Sequence, residues 1–303
     1  MFWRCIDPKE IIPKEKRLKT KIIATIGSLK NKRYDLGLKV HEKPTYNEFF
    51  NWFIQKGHLN CLMIDVIRLN MSFYADDGNT EVYDGAFQWM ENNKRLSKNI
   101  AILCDLSGPK TRIGELKEMK IDLKPDQPCK LFLDKALEGD SNQISVLSRN
   151  KPLLKAVSSP QDILDNLQSA ISLAGPEGIE ISIGDGEVIL RANDKSLDYD
   201  NGTLNCRVSI GGEIEKSKGV TFEKVNLQLP AFDEYDQKSL RYILDKDNGR
   251  GFVALVGVSF ARNACDILSV KKFINEYYAD RNKKCDLGSI ERTCPDIIAK
   301  IET

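Results

Sequence analysis

The sequence predicts an α/β protein: a parallel sheet with helices outside it, interrupted by a small inserted β-barrel domain. Three observations carry that prediction. Short apolar strands alternate with amphipathic helices in both end portions of the chain. From about residue 115 to 222 the texture changes to period-two alternation broken by turn signals. Polar residues of the same types recur at the carboxyl ends of the otherwise apolar strands, where α/β enzymes place their chemistry.

The elements follow in order. Lys21–Ile26 reads as the first strand, followed by a loop rich in Lys and Asn. Thr45 with Glu48 three residues on forms a capping box that opens a helix closed by Gly57. Cys61–Leu69 is the second strand, 80–96 the second helix and Ile100–Cys104 the third strand. Within the β-textured insert, Glu180–Ile183 alternates before Gly184-Asp185-Gly186, and Asn201-Gly202 predicts a hairpin with a type I′ turn. A helical stretch at 161–173 reads as a local addition. Beyond the insert come a helix near 236–244, a strand Phe252–Ser259, a helix 263–278 and a last strand Asp296–Ile301. The boundaries are therefore 1–114 for the first part of the α/β domain, 115–222 for the insert and 223–303 for the continuation.

Composition narrows the possible functions. The 303 residues carry a net charge of +1, which gives no overall attraction to nucleic acid or to a membrane. No apolar run reaches the length of a membrane span, and the amino terminus lacks a signal core. The eight cysteines contain no C-x-x-C pair, which argues for a reducing, cytoplasmic setting. With only two histidines, His41 and His58, a histidine-rich metal site and a Ser/His/Asp triad are both disfavoured. Walker, dinucleotide-binding, H-E-x-x-H and G-x-S-x-G motifs are absent. Asp245–Gly249 has a faint calcium-loop look but lacks the distal ligands, and reads as a turn.

The strand ends carry the functional signal. Arg68-Leu69-Asn70-Met71-Ser72 sends Arg68, Asn70 and Ser72 to one side of the second strand. The third strand runs into Asp105, then Lys110 and Arg112. The fourth ends in Ser259-Phe260-Ala261-Arg262 and the fifth in Lys300-Ile301-Glu302. Guanidinium and ammonium groups converging on one mouth suit a phosphate. A carboxylate at Glu302 beside Lys300 suits a divalent metal, with a cation at hand to stabilise negative charge on a transferring phosphoryl group or an enolate.

Taken together, these motifs resemble the pyruvate kinase family. Thr20–Gly27, Arg68–Ser72, Asp105–Gly114, Ile183–Gly186, Lys218-Gly219-Val220, Leu229-Pro230, Ser259–Arg262 and Lys300–Glu302 occur in that family's order over about 20–303, with atypical stretches at 28–60 and 135–170. The resemblance implies a partial (β/α)8 TIM-type barrel, about five strands of it, with the insert as a lid. It implies a phosphotransferase converting phosphoenolpyruvate and ADP to pyruvate and ATP, the last step of glycolysis. Arg68 would grip the transferring phosphoryl group and Lys300 would act in catalysis. Arg112, Asp185 and Ser259 would bind substrate or nucleotide, and Glu302 would ligate Mg²⁺ or Mn²⁺. Asn70, Ser72 and Asp105 would form a monovalent-cation pocket, filled by the Lys110 ammonium.

Departures from the pattern add expectations. Leu106, Lys110 and Ile113 resemble the branch of the family that works without K⁺. The chain stops after its fifth strand, before a second carboxylate ligand, three further strands and a carboxyl-terminal domain. It is therefore expected to be a truncated form, weak or inactive alone, with homo-oligomers expected for a full-length parent only. The rival readings are a non-catalytic relative that binds phosphate or a partner subunit, and another barrel enzyme acting on phosphoenolpyruvate or a keto acid.

Overall fold

The computed structural model describes residues 23–26, 65–72, 74, 80–93, 100–184, 186–284 and 294–301. The expected helix at 45–57, Asp185 and Glu302 lie outside the described residues. The chain divides into two compact units, 1–108 with 231–302, and 109–230.

In chain order, the first unit contributes β1 (Ile23–Ile26), β2 (Val66–Asn70), α1 (Glu81–Asn92) and β3 (Ala101–Asp105). The inserted unit follows with β4 (Thr111–Ile113), β5 (Lys120–Leu123), β6 (Pro128–Phe132), β7 (Gln143–Ser148), β8 (Lys151–Pro152), α2 (Pro160–Ala174), β9 (Ile179–Ile183), β10 (Val188–Ala192), β11 (Leu197–Asp198), β12 (Thr203–Ile210), β13 (Gly212–Glu215) and β14 (Val220–Phe222). The first unit resumes with α3 (Glu234–Asp247), β15 (Val253–Val258), α4 (Ala264–Lys284) and β16 (Asp296–Ala299).

The first unit is built on one parallel sheet of five strands in the order β1-β2-β3-β15-β16. Sequential neighbours pair, as expected when helices carry the chain back across the sheet. In α1, Val82, Tyr83, Ala86, Phe87, Trp89 and Met90 recur at helical spacing and are buried in one core with Leu69, Ile102 and Val256. Helix α3 starts at Asp233, whose carboxylate accepts the Tyr235 and Asp236 amides, and stops at Asn248 in a left-handed conformation. The Asp247 carboxylate accepts the Gly251, Phe252 and Val253 amides, so Asp245–Asp247, read as part of a turn, close α3, and 248–251 form the turn that launches β15.

The inserted unit is a nearly closed antiparallel-rich barrel, with strands in the path β14-β9-β10-β12-β6-β7-β4. Its two ends meet where Arg112 bridges Gly219 and the Ile113 amide donates to the Lys218 carbonyl. Helix α2 is capped by Ser159 and begins with Pro160; it buries Ile163, Leu164, Leu167 and Ile171 in the barrel's own core. The stretch read as a local addition is thus part of that unit's hydrophobic interior. One local expectation is corrected. The 201–202 hairpin forms between β11 and β12, but Asp198 pairs with Thr203 across a four-residue loop. Only Gly202 there takes a positive φ (+55°), because the Asp198 carboxylate accepts both the backbone and side-chain N–H of Asn201 and fixes a different turn.

Candidate active site at the strand ends

Strand β2 alternates as its sequence dictates. Leu69 and Met71 are fully buried, while Arg68, Asn70 and Ser72 keep partial exposure on the other side. In the sheet register Arg68 lies beside Thr25 of β1 and Asn70 beside Asp105 of β3. Neighbours in a parallel ladder present their side chains to the same face, so the register gathers these groups.

Asp105 is the centre of the cluster. Its side chain is 3% exposed, against 33% for Arg68 and 28% for Lys300. Arg68 reaches Asp105 Oδ2 with Nε at 2.7 Å and Nη2 at 2.5 Å, and its Nη1 donates to Thr25 Oγ1 at 3.1 Å. Lys300 Nζ donates to Asp105 Oδ1 at 3.0 Å and to Ser259 Oγ at 2.8 Å. The Ser259 hydroxyl in turn donates to the Leu106 carbonyl at 2.6 Å, which leaves its lone pairs facing the ammonium. The backbone of Lys300 continues the ladder past β16: its amide donates to Val258 and its carbonyl accepts from Ala261. Five strands therefore contribute to one buried carboxylate held between two cations, each with a second oxygen partner.

Two glycines make room for this arrangement. A Cβ on Gly257 would stand 2.9 Å from Asp105 Oδ1. Gly108 has φ +62°, and a Cβ there would meet the Phe260 ring at 2.8 Å and Ser259 Cβ at 2.9 Å. Phe260 itself adopts φ +56°, a strained conformation for a bulky residue. Gly257 was readable as a glycine inside an apolar strand, a sign of close approach. Thr25 left no signal, because only the register puts it beside Arg68.

The remaining predicted residues are placed as follows. Asn70 Oδ1 accepts the Ser72 amide at 3.1 Å, so both sit in the turn after β2. Lys110 and Arg112 belong to the inserted unit. The Lys110 side chain lies over Gly219, where a Cβ would meet its Cε at 2.8 Å, and Arg112 Nη1 donates to the Ser217 carbonyl at 2.9 Å. Among the described residues no cluster of three His, Cys, Asp or Glu could hold a metal ion. Asp105 is already engaged by two cations, so the described residues alone do not fit a divalent-metal site. Burial pushes the neighbouring Cys104 thiol far up, with the Asp105 and Asp236 carboxylates adding to the shift, so Cys104 is packing material rather than a nucleophile. No helix among the described residues is long and apolar enough to cross a membrane.

The profile of the family described as pyruvate kinase, barrel domain, matches residues 17–287. The pyruvate kinase of Corynebacterium efficiens is 27% identical over 241 residues, covering 79% of this chain and 43% of that protein. The Staphylococcus saprophyticus pyruvate kinase is 26% identical over 269 residues, covering 89% of this chain and 37% of its own length. A crystal structure of a pyruvate kinase from Cryptosporidium parvum shares the fold with a TM-score of 0.60 at 23% identity, over 93% of this chain and 46% of that one. This chain spans less than half the length of these relatives. With a family profile covering most of its residues and a parallel sheet of the matching kind, the chain belongs to the pyruvate kinase family.

Proposed function

We propose that this chain carries the phosphoenolpyruvate-binding part of a pyruvate kinase-type phosphotransferase, which transfers a phosphoryl group to ADP and forms pyruvate and ATP. The observation that supports the reading best is the joint hold of Asp105 on Arg68 and Lys300. Arg68 presents a planar fork of donors suited to a phosphoryl group. Lys300 offers a compact charge for the enolate oxygen as the phosphoryl group departs, and Ser259 keeps that ammonium in place. Preorganisation of both cations by a buried carboxylate removes the need to reorient them during the reaction.

Arg112 and Asp185 are proposed for the nucleotide. Mg²⁺ or Mn²⁺, which the family implies, would be held by Glu302 and would supply charge neutralisation for the phosphoryl group. The monovalent-cation pocket of Asn70, Ser72 and Asp105 is proposed to work without K⁺, because ammonium groups supply the charge. Lys110 is the proposed occupant, and Lys300 already stands at Asp105. Pyruvate formation in a parent enzyme should then survive in K⁺-free buffer balanced with tetramethylammonium; loss of activity there would sink the K⁺ proposal. A cytoplasmic setting and a homo-oligomeric parent complete the reading.

The direct test is calorimetric titration of the purified chain with phosphoenolpyruvate, alongside a coupled assay for pyruvate. Binding should weaken at least tenfold in Arg68→Ala and in Lys300→Ala, each checked for folding by circular dichroism. Absence of binding by the unaltered chain would overturn the proposal. Binding with little or no turnover is the outcome expected of this part alone, and robust pyruvate formation would refute the expectation of weak activity.

A further inference from the structure

Beyond the cluster around Asp105, one fully buried tyrosine reaches the same strand end from behind. Tyr83 lies on α1 and is 0% exposed. Its hydroxyl donates to the Asn70 carbonyl at 2.7 Å and accepts the Tyr74 amide at 3.2 Å. The turn after β2 is therefore gripped at both ends by one oxygen. On its other side the same turn is tied to β3, where the Met71 amide donates to the Asp105 carbonyl at 2.9 Å. A shift at Asn70 would thus be felt at the backbone of Asp105 as well as by the Asn70 and Ser72 side chains.

Tyr83 is itself firmly located. Its ring makes edge contacts with Tyr74 at 6.4 Å and Tyr242 at 6.1 Å, and those two rings stack on each other at 4.6 Å. One residue on, Asp84 accepts from the Tyr242 hydroxyl at 2.9 Å and pairs with Lys246 of α3 at 2.5 Å. A tyrosine whose only task was to fill the core would leave its hydroxyl a burden, since a buried hydroxyl needs partners. Here the hydroxyl is aimed at a turn that carries two predicted site residues, Asn70 and Ser72.

We propose that Tyr83 is a positioning residue for the proposed phosphoenolpyruvate site, acting through the Asn70 carbonyl to fix the Asn70–Ser72 turn and the Asp105 segment bonded to it. The inference rests on the function proposed above. It does not depend on a metal or on the inserted unit.

The test compares Tyr83→Phe, which removes one oxygen and keeps the ring, with Tyr277→Phe. Tyr277 of α4 donates to Asp245 of α3 at 2.7 Å and not to the Asn70–Ser72 turn, so it controls for the loss of a tyrosine hydrogen bond as such. Phosphoenolpyruvate affinity, measured by calorimetry, should fall about tenfold in Tyr83→Phe and stay within twofold in Tyr277→Phe. Amide hydrogen exchange at Met71 and Tyr74 should quicken only in Tyr83→Phe. Unchanged affinity in Tyr83→Phe would overturn the proposal. Should the unaltered chain bind no phosphoenolpyruvate, the functional reading fails, and exchange alone judges the positioning role: faster exchange at Met71 and Tyr74 supports it and unchanged exchange refutes it. Should Tyr83→Phe be too unstable to titrate, the unaltered chain and both variants are titrated in trimethylamine N-oxide, which favours the folded state; a folded Tyr83→Phe whose affinity stays within twofold of the unaltered chain there also overturns the proposal.

Discussion

The parallel sheet and the inserted barrel use charge in opposite ways. In the barrel, the pairs Lys117–Asp140, Lys120–Glu215 and Lys216–Glu115 keep at least 30% of each side chain exposed, and the interior is apolar. In the sheet, Asp105 is almost wholly buried while both of its cations reach solvent. Exposed pairs gain little in water, whereas a carboxylate buried between two cations depends on both. The barrel's charges serve solubility and leave its stability to packing. The sheet's charges bind its strand ends into one polar unit, an arrangement that a purely structural role would not call for.

Substitution can break that contrast. Asp105→Ala should have the largest effect, destabilising the first unit by about 2–4 kcal/mol, because it leaves two like charges facing each other beside a buried hole. Urea denaturation would measure it. The matching change in the barrel, Lys120→Ala, should leave the urea midpoint unmoved; equal effects at the two sites would erase the distinction. Gly257→Ala comes next, at roughly 1–3 kcal/mol, since the added methyl group crowds Asp105 Oδ1. Asp233→Ala, which removes the α3 cap, should cost about 1 kcal/mol by thermal melting and leave the cluster intact.

The smallest effect is chemical. Cys104 and the barrel's Cys129 and Cys206 are buried, and burial pushes the Cys129 thiol up to about 12 and the Cys206 thiol well above its ordinary value. At pH 8 a maleimide should label the exposed Cys265 and Cys294 and spare these three, as peptide mass spectrometry would show. For Cys129 the sign of the pH dependence follows from the raised value. Its contribution to stability is complete below about pH 9 and is lost as the pH rises towards 12, where the folded thiol ionises.

Periodicity made the strand ends legible in the sequence. Arg68 and Asn70 stand two apart with buried Leu69 between them, whereas after β16 the alternation fails, since Ile301 is exposed beside a half-buried Lys300. Residue type supplied the chemistry, since a guanidinium, an ammonium and a carboxylate have few joint uses. What stayed hidden was whatever depends on register or on a distant element. Thr25 is one hydroxyl among many until β1 is laid against β2, and Tyr83 reads as one more apolar-face residue of an amphipathic helix. The Asn201-Gly202 pair misled because turn type is set by the competing Asp198 carboxylate as well as by the dipeptide. Alternation and helical spacing are local properties of the chain, so individual elements such as β3 and α1 were legible.

The cluster around Asp105 also has an arithmetic consequence. Two cations share one carboxylate, so the group of Arg68, Asp105 and Lys300 taken by itself carries one positive charge in excess. Such a site behaves like a small anion exchanger. A monovalent anion completes it, and each further negative charge on a ligand must find its counterion elsewhere. Association of a small anion should therefore slow and weaken as salt is added, because at 0.15 M ionic strength the field of an exposed charge fades within about 8 Å. A ligand held instead by the shape of the fold would show little such dependence.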